Sequence, residues 1–297
     1  MVICLAPWLG TPLHAEHGDF VLYQLRIPRV LLGVIVGAML GLTGAVYQAV
    51  FDNPLATPST VGTTAGAALG ALSVLVLLPG HSSLPMVSIA AFTGALIVTF
   101  AIAAIAASGR ARINDVLLAG IAISLAAGAI TTGLQFQADI AATFEAVRWS
   151  LGQLTQVGYS GVQLLAPVAV FCIFILLSQT RALESMIGGE ERAHAQGVNI
   201  RRTRTIALAT GALGVGACVA WCGPIAFVGL IVPHLVRLGL GATRRVLFPM
   251  SALVGAGFLV FCDGLARVMM PNHDLPVGVV TAMLGAPLLV WLVTRRR

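Results

Sequence analysis

Residues 26–60 read RIPRVLLGVIVGAMLGLTGAVYQAVFDNPLATPST, an apolar run that is entered through Arg-Ile-Pro-Arg and left through Asn-Pro-Leu-Ala. Beyond Arg29 the run carries no charged side chain until Asp52, and this length is close to the roughly 20 residues that a helix needs to cross a bilayer. Its glycines recur three or four residues apart, at Gly33, Gly37, Gly41 and Gly44. Such glycines share one side of a helix and let a second helix approach closely. The stretch therefore predicts a transmembrane helix with a tightly packed face.

The composition of the chain makes lipid its main solvent. Of the 297 residues, 58% are hydrophobic and only 9% are charged, whereas about a quarter of the residues in a soluble domain are charged. The net charge of +6 comes from arginine alone, and the arginines lie between apolar runs. No aromatic and basic platform for nucleic-acid bases is present. We therefore interpret the arginines as topology signals and expect no nucleic-acid partner.

Apolar runs follow one another along the whole chain with short polar breaks. They cover about 29–50, 61–79, 86–107, 113–136, 161–178, 206–222, 223–240, 247–266 and 277–293. In lipid these runs must be helical, because a helix satisfies its backbone hydrogen bonds internally. The sequence predicts an all-α, polytopic transmembrane bundle of about nine spans that forms a single domain over residues 1–297.

The arginines also predict the orientation of the bundle. If the first run starts outside, one side of the membrane receives Arg110, Arg112, Arg181, Arg192, Arg201, Arg202, Arg204, Arg237, Arg244, Arg245, Arg295, Arg296 and Arg297. The other side receives only Arg26, Arg29, Arg148 and Arg267. The arginine-rich side is predicted to be cytoplasmic.

The external arginines are exceptions to this rule, and each needs an acidic neighbour or a partner. Asp263 precedes Arg267 by four residues, a spacing that places the two side chains together on a helix. Glu16 and Asp19 are the acids nearest to Arg26 and Arg29 in the sequence. Two interpretations stay open: local ion pairs, or a surface that binds an acidic partner.

The longest polar break, 179–205, is predicted to be a cytoplasmic loop that contains a short helix. Glu190 and Glu191 give this helix an acidic start, and Gly197 gives it a stop. The charges of the loop are either solvated or part of a docking site for a cytoplasmic subunit.

A few polar residues inside the apolar runs need partners. Asn53 precedes Pro54 and is expected to end the first helix, and Gln48 either satisfies that helix end or lines a pathway. His234 follows Pro233, so it either bonds backbone that the proline frees or relays protons. Cys218 and Cys222 lie four residues apart without further ligands for a metal, so we interpret them as packing residues.

The sequence offers no catalytic residues and no metal site of its own. It has no G-x-S-x-G or H-E-x-x-H motif. It also has no phosphate-binding loop, so any ATP would have to be hydrolysed on another chain.

Four long segments resemble one known family. They read LRIPRVLLGVIVGAMLGLTGAVYQAVFDNPLATPSTVGTTAGA, GGEERAHAQGV, CGPIAFVGLIVPHLVRLGLGATRRVLFP, and CDGLAR followed by DLPVGVVTAMLGAP. In this order, from residue 25 to residue 287, they resemble the FecCD-type permease subunits of ABC importers for iron-siderophores, haem and cobalamin. The resemblance implies ten helices, of which this sequence enters at the second, with the first cut to residues 1–10.

The resemblance also implies partners and a location. They are a second permease copy in a homodimer, two ATPase subunits that hold ATP and Mg, and a periplasmic substrate-binding protein, all at the inner membrane. The chain itself is expected to hold no cofactor and to act as a translocation subunit rather than an enzyme. The sequence does not select one chelate as cargo.

Site residues follow from the same resemblance. Docking to glutamates of the binding protein is implied for Arg26, Arg29 and Arg267. Coupling to the ATPase is implied for Gly189, Glu190, Glu191, Ala193 and Gly197, within the loop 179–205. The break before VLLAG matches a loop that narrows the cytoplasmic exit, which makes Ile113 and Asn114 candidate gate residues.

Two other functions compete with this one. An ion-coupled secondary transporter tends to keep carboxylates or broken helices in mid-membrane, whereas the acids of this chain cluster near the breaks. A membrane scaffold without transport is the other alternative.

Overall fold

The computed structural model describes residues 6–8, 18–78, 83–107, 113–269 and 275–294, and these ranges contain helices and no strand. We number the helices α1 Gly18–Val50, α2 Thr63–Leu77, α3 Leu84–Ala107, α4 Ile113–Phe136, α5 Ile140–Ser150, α6 Ser160–Ser178, α7 Thr180–Ser185, α8 Glu190–Ala195, α9 Ile200–Cys222, α10 Val228–Leu240, α11 Arg244–Met269 and α12 Val277–Thr294. The first of these contains a π-helical segment, Val21–Arg26. Of the truncated first helix predicted at residues 1–10, only a short 3-10 turn at Ala6–Trp8 is described.

The predicted all-α transmembrane bundle is confirmed. Each of the nine apolar runs overlaps a helix, although the run 223–240 is helical only from Val228. Among the described residues, α1, α3, α4, α6 with α7, α9 and α11 are long and apolar enough to cross a membrane. The apolar helices α2, α10 and α12 are shorter.

Glycines bring α1 into backbone contact with its neighbours, as the sequence predicts. A Cβ atom added at Gly37 would fall on the carbonyl oxygen of Gly255 in α11, and one at Gly41 would fall on the carbonyl oxygen of Ser251. A Cβ at Gly44 would fall on the carbonyl oxygen of Gly229 in α10. The glycine face of α1 therefore packs against two helices at once and places α1 at the centre of the bundle.

The core surrounds α1, and the periphery is apolar. Tyr47 is fully buried, and its hydroxyl donates a 2.8 Å hydrogen bond to the carbonyl oxygen of Leu208 in α9. By contrast, α4 exposes most of its surface, including Leu125 and Phe136. Exposed apolar side chains of this kind suit lipid or another membrane subunit.

The connection between α9 and α10 corrects the predicted run 223–240. Residues 223–227 are not helical, and α10 begins only at Val228. Gly223 adopts a φ of +71° and Phe227 a φ of +68°, both in the left-handed region. Gly229, just after this connection, contacts Gly44, which lies six residues before the end of α1. The connection therefore runs back into the bundle. The helix α10 is therefore shorter than the predicted run, because the first five residues of that run are not helical.

Two short helices were not predicted. In α5, Asp139 is the N-cap and accepts a 2.7 Å hydrogen bond from the backbone of Ala142. In the segment 179–205, α7 precedes the predicted short helix, which is confirmed as α8. Gly197, the predicted stop, follows α8 with a φ of +76°.

Candidate docking and coupling sites

At the predicted outer end of the bundle, one buried carboxylate joins two arginines. Arg29 Nε lies 2.9 Å from Asp263 Oδ1 and 3.1 Å from Oδ2, and Arg29 Nη2 lies 2.9 Å from Oδ1. Arg267 Nη2 lies 2.9 Å from Asp263 Oδ2. The predicted pair between Asp263 and Arg267 is confirmed. Arg29 also pairs with Asp263, and not with Glu16 or Asp19, which are nearer to it in the sequence.

Arg26 lies beside this group and is also buried. Its Nη1 donates a 3.2 Å hydrogen bond to the carbonyl oxygen of Pro7. We call Arg26, Arg29, Arg267 and Asp263 the outer arginine cluster. Three guanidinium groups and one carboxylate give these four side chains a formal charge of +2. The structure thus brings the three predicted docking arginines together, in a cluster that α1 and α11 build jointly.

The loop 151–159 fixes the backbone that carries Arg26. Pro28 has no N–H, so the carbonyl oxygen of Gln24 lacks its helical donor. The backbone N–H of Gly158 donates to that oxygen at 2.8 Å, and Gln156 Nε2 donates to the carbonyl oxygen of Pro28 at 3.1 Å. The role of this loop was not predicted; the sequence signal for it is the pair of turn glycines Gly152 and Gly158, both with positive φ.

The segment 179–205, predicted to be cytoplasmic, exposes some of its predicted coupling residues and buries another. Gly189, with a φ of +96°, Glu191 and Gly197 are exposed. Ala193 is fully buried within the chain, so it packs α8 against the rest of the protein and is not exposed to solvent. The side chain of Glu190 lies outside the described residues.

A second charged group links this segment to α11. Arg244 begins α11 and is buried, and Glu184 on α7 and Asp52 after α1 both act on it electrostatically. Arg244 Nη1 and Glu184 Oε2 are buried and have no hydrogen-bond partner within the described part of the chain. The coupling segment is therefore connected by charge to the inner end of α11.

Gln48 supplies a hydrogen-bond donor that Pro233 removes from α10. Its Nε2 lies 3.3 Å from the carbonyl oxygen of Gly229, the oxygen to which residue 233 would donate if it had an N–H. Arg237 Nη1 donates to Gln48 Oε1 at 2.6 Å. His234 Nδ1 lies 2.8 Å from the carbonyl oxygen of Leu230. His234 thus binds backbone as predicted, but the oxygen that the proline frees belongs to Gly229 and is reached by Gln48.

Two further predictions concern the inner ends of α1 and α4. The helix α1 ends at Val50, three residues before the predicted end at Asn53. Asn53 lies in the turn that follows, where its Oδ1 accepts a 2.9 Å hydrogen bond from the backbone N–H of Leu55. The candidate gate residues Ile113 and Asn114 open α4, but their side chains lie outside the described residues. The gate therefore stays a prediction.

The described ranges contain no cluster of three or more His, Cys, Asp or Glu side chains that could hold a metal ion. Cys172, Cys218, Cys222 and Cys262 are free thiols buried in the bundle. Packing accounts for them.

The glycine-packed apolar helices, six of which among the described residues are long enough to cross a membrane, are those of a polytopic membrane protein. The FecCD transport family model matches residues 9–295. The chain therefore belongs to the FecCD transport family.

Relatives of known designation agree with this assignment. The chain is 39% identical to the cobalamin import system permease protein BtuC of Halobacterium salinarum, over 95% of this chain and 75% of that protein. It is 37% identical to the hemin transport system permease protein HmuU of Yersinia pestis, over 92% and 83%. It is 36% identical to the Fe(3+) dicitrate transport system permease protein FecD of Escherichia coli K12, over 100% and 93%.

The fold matches a solved structure as well. A transporter described as of the metal-chelate ABC type, in an inward-facing conformation, aligns with a TM-score of 0.90 at 28% identity, over 99% of this chain and 96% of that one.

Proposed function

We propose that this chain is the permease subunit of an ATP-driven importer that moves a metal chelate, such as an iron-siderophore, haem or cobalamin, from the periplasm to the cytoplasm across the inner membrane. The observation that carries the proposal is the family match over nearly the whole chain, with relatives designated as cobalamin, hemin and ferric dicitrate permeases. The described residues hold no metal-ligand cluster, which suits a cargo that arrives with its own ligands.

The outer arginine cluster supports docking of a periplasmic substrate-binding protein. Arginine binds carboxylates through a rigid fork of donors, which gives orientation as well as attraction. Arginines on the external face are rare in this chain, and three of the four lie in one cluster. A partner with surface glutamates complements this cluster, and the attraction guides the encounter.

The exposed face of the segment 179–205 supports docking of an ATPase subunit. Gly189 and Gly197 bracket α8 with positive φ angles and hold it as a separate short element. The exposed carboxylate of Glu191 is available to a basic groove. ATP and Mg would be bound by the ATPase, and two copies of each subunit would complete the assembly around a permease homodimer.

Transport then consists of a shift between two helix arrangements. ATP binding draws the two ATPase subunits together and moves the segments 179–205 with them, and this differential binding favours one arrangement of the bundle. The chain supplies a corridor and no covalent chemistry. Ile113 and Asn114 are the proposed gate at its cytoplasmic end.

Reconstitution tests this function. The permease is inserted into lipid vesicles with its ATPase and its substrate-binding protein, and uptake of a ferric siderophore, haem and cobalamin is measured with ATP inside. We expect uptake of one chelate class that stops when the ATPase cannot hydrolyse ATP. Uptake that persists with that ATPase but stops when the proton gradient is dissipated would instead support an ion-coupled secondary transporter.

A further inference from the structure

The two arginines that share Asp263 are held in different ways. Arg29 makes three contacts of 2.9 to 3.1 Å with the carboxylate, through Nε and Nη2. Arg267 makes one such contact, from Nη2 to Oδ2, and its Nε lies 3.4 Å from the backbone carbonyl oxygen of Asp263. Arg267 Nη1 is buried and has no hydrogen-bond partner among the residues that the structure describes.

This difference gives the side chains of Arg29 and Arg267 different roles. The forked contact of Arg29 joins α1 to α11 across 234 residues of sequence, at the outer end of a pair of helices already in backbone contact. Such a bidentate pair fixes geometry. Arg267 is held at Nη2 and, over a longer distance, at Nε, so its Nη1 can still bind a second carboxylate.

We infer that Asp263 is a positioning residue of the docking surface: it clamps Arg29 as a structural tie and aims Arg267 at a carboxylate of the acidic partner. This inference rests on the proposed function, because it assumes that the partner is the substrate-binding protein. The Arg267 side chain is only 6% exposed, so docking at Nη1 includes a small outward movement of Arg267 while Arg29 stays in place.

The variant Asp263→Asn separates the positioning role of Asp263 from its charge, because losing each changes the affinity for an acidic partner in the opposite direction. Removing the carboxylate raises the charge of the cluster by one unit, which by itself strengthens attraction to an acidic partner and speeds association. Loss of positioning instead frees both guanidinium groups and speeds dissociation. The inference therefore predicts weaker docking in a more positive protein.

The experiment measures association and dissociation rates of the transporter's own substrate-binding protein on the permease–ATPase complex in lipid nanodiscs, at low and moderate salt. For Asp263→Asn we expect a dissociation rate about tenfold faster with association unchanged or faster. Asp263→Glu should restore part of the lost residence time, since it keeps the charge. Arg267→Gln should speed dissociation by about tenfold or more.

Arg148→Gln is the matched control, because Arg148 is an exposed external arginine. It removes one positive charge, as Arg267→Gln does, and should change mainly the association rate. If Asp263→Asn does not assemble, Arg29→Lys replaces it, since lysine keeps the charge and loses the fork. We expect faster dissociation in this variant too, by less than for Arg267→Gln.

The outcomes distinguish the inference from the function on which it rests. Tighter binding or unchanged dissociation in Asp263→Asn, or unchanged dissociation in Arg29→Lys, overturns the positioning role alone. If the double reversal Arg26→Glu with Arg267→Glu leaves docking unchanged, or if the unmodified complex does not bind the protein, the proposed docking surface fails and the role of Asp263 fails with it.

Discussion

Gln48 Nε2 lies 3.3 Å from the carbonyl oxygen of Gly229, which Pro233 leaves without a helical donor. The same amide accepts a 2.6 Å hydrogen bond from Arg237 through its oxygen. The side chain of Gln48 therefore replaces the backbone donor that α10 lacks at Pro233. It also bonds Arg237, which lies in the last turn of α10. In an apolar bundle, a backbone oxygen without a donor is costly.

We expect Gln48→Leu to destabilise the permease by about 1–3 kcal/mol, because it removes the side-chain donor to the carbonyl oxygen of Gly229 and an acceptor for Arg237. Thermal unfolding in detergent measures the loss. Gln137→Leu is the matched control, since Gln137 is exposed in the turn after α4, and it should change the midpoint little. Equal midpoints for Gln48→Leu and the control would show that Gln48 is not needed to complete α10.

A substitution at Gly37 tests the contact between α1 and α11. A Cβ at Gly37 would fall on the carbonyl oxygen of Gly255 and lie 2.9 Å from Leu259 Cβ. Since both helices must move apart, we expect Gly37→Ala to cost about 1–3 kcal/mol. Gly257→Ala is the control on α11, as a Cβ there meets nothing within 4 Å. The fraction of monodisperse permease during heating reports both, and similar curves for the two variants would contradict the packing.

Charge reversal at the outer face tests docking. We expect Arg26→Glu with Arg29→Glu to weaken binding of the substrate-binding protein and to leave assembly with the ATPase intact. Because Arg29→Glu sets a second carboxylate against the buried Asp263, the double variant should also unfold at a lower temperature. Co-purification at low salt measures both partners. Undiminished docking under these conditions would remove the two arginines from the docking surface.

Charge reversal at the inner face tests coupling. Glu191→Arg should weaken association with the ATPase, because it reverses an exposed charge on α8. Glu145→Arg makes the same change on the exposed surface of α5, on the other side of the membrane, and should leave the association unchanged. Co-purified ATPase and stimulated ATP hydrolysis are the two measurements. If both variants behave alike, Glu191 is not part of the ATPase contact.

Local patterns in the sequence were enough to predict most of the fold. Long apolar runs, glycines at helical spacing and arginines sorted by side depend on lipid and on backbone geometry, which act on each segment separately. The contacts of Gly37 and Gly41 and the short helix after Gly189 were therefore predictable. The helix α5 was missed because its apolar and polar residues are mixed, and the only local signal was Asp139 as an N-cap.

Partners that are distant in sequence could not be predicted. Arg29 has acids close by in the sequence, yet its partner is Asp263, because the glycine faces set α1 beside α11 in a register that brings the two together. The start of α10 was misplaced because Gly223 and Pro224 lie within an apolar run that hides the break. The partner of Gln48 likewise depends on how deep α10 lies.

The helix α11 carries a charged group near each end: Arg244 is acted on electrostatically by Glu184 and Asp52, and Asp263 pairs with Arg29 and Arg267. Nineteen residues separate the two, about 28 Å of helix at 1.5 Å per residue. Although Pro249 removes one backbone donor, α11 is one uninterrupted helix between the two groups. An axial displacement of α11 as a body would therefore move both charged groups together.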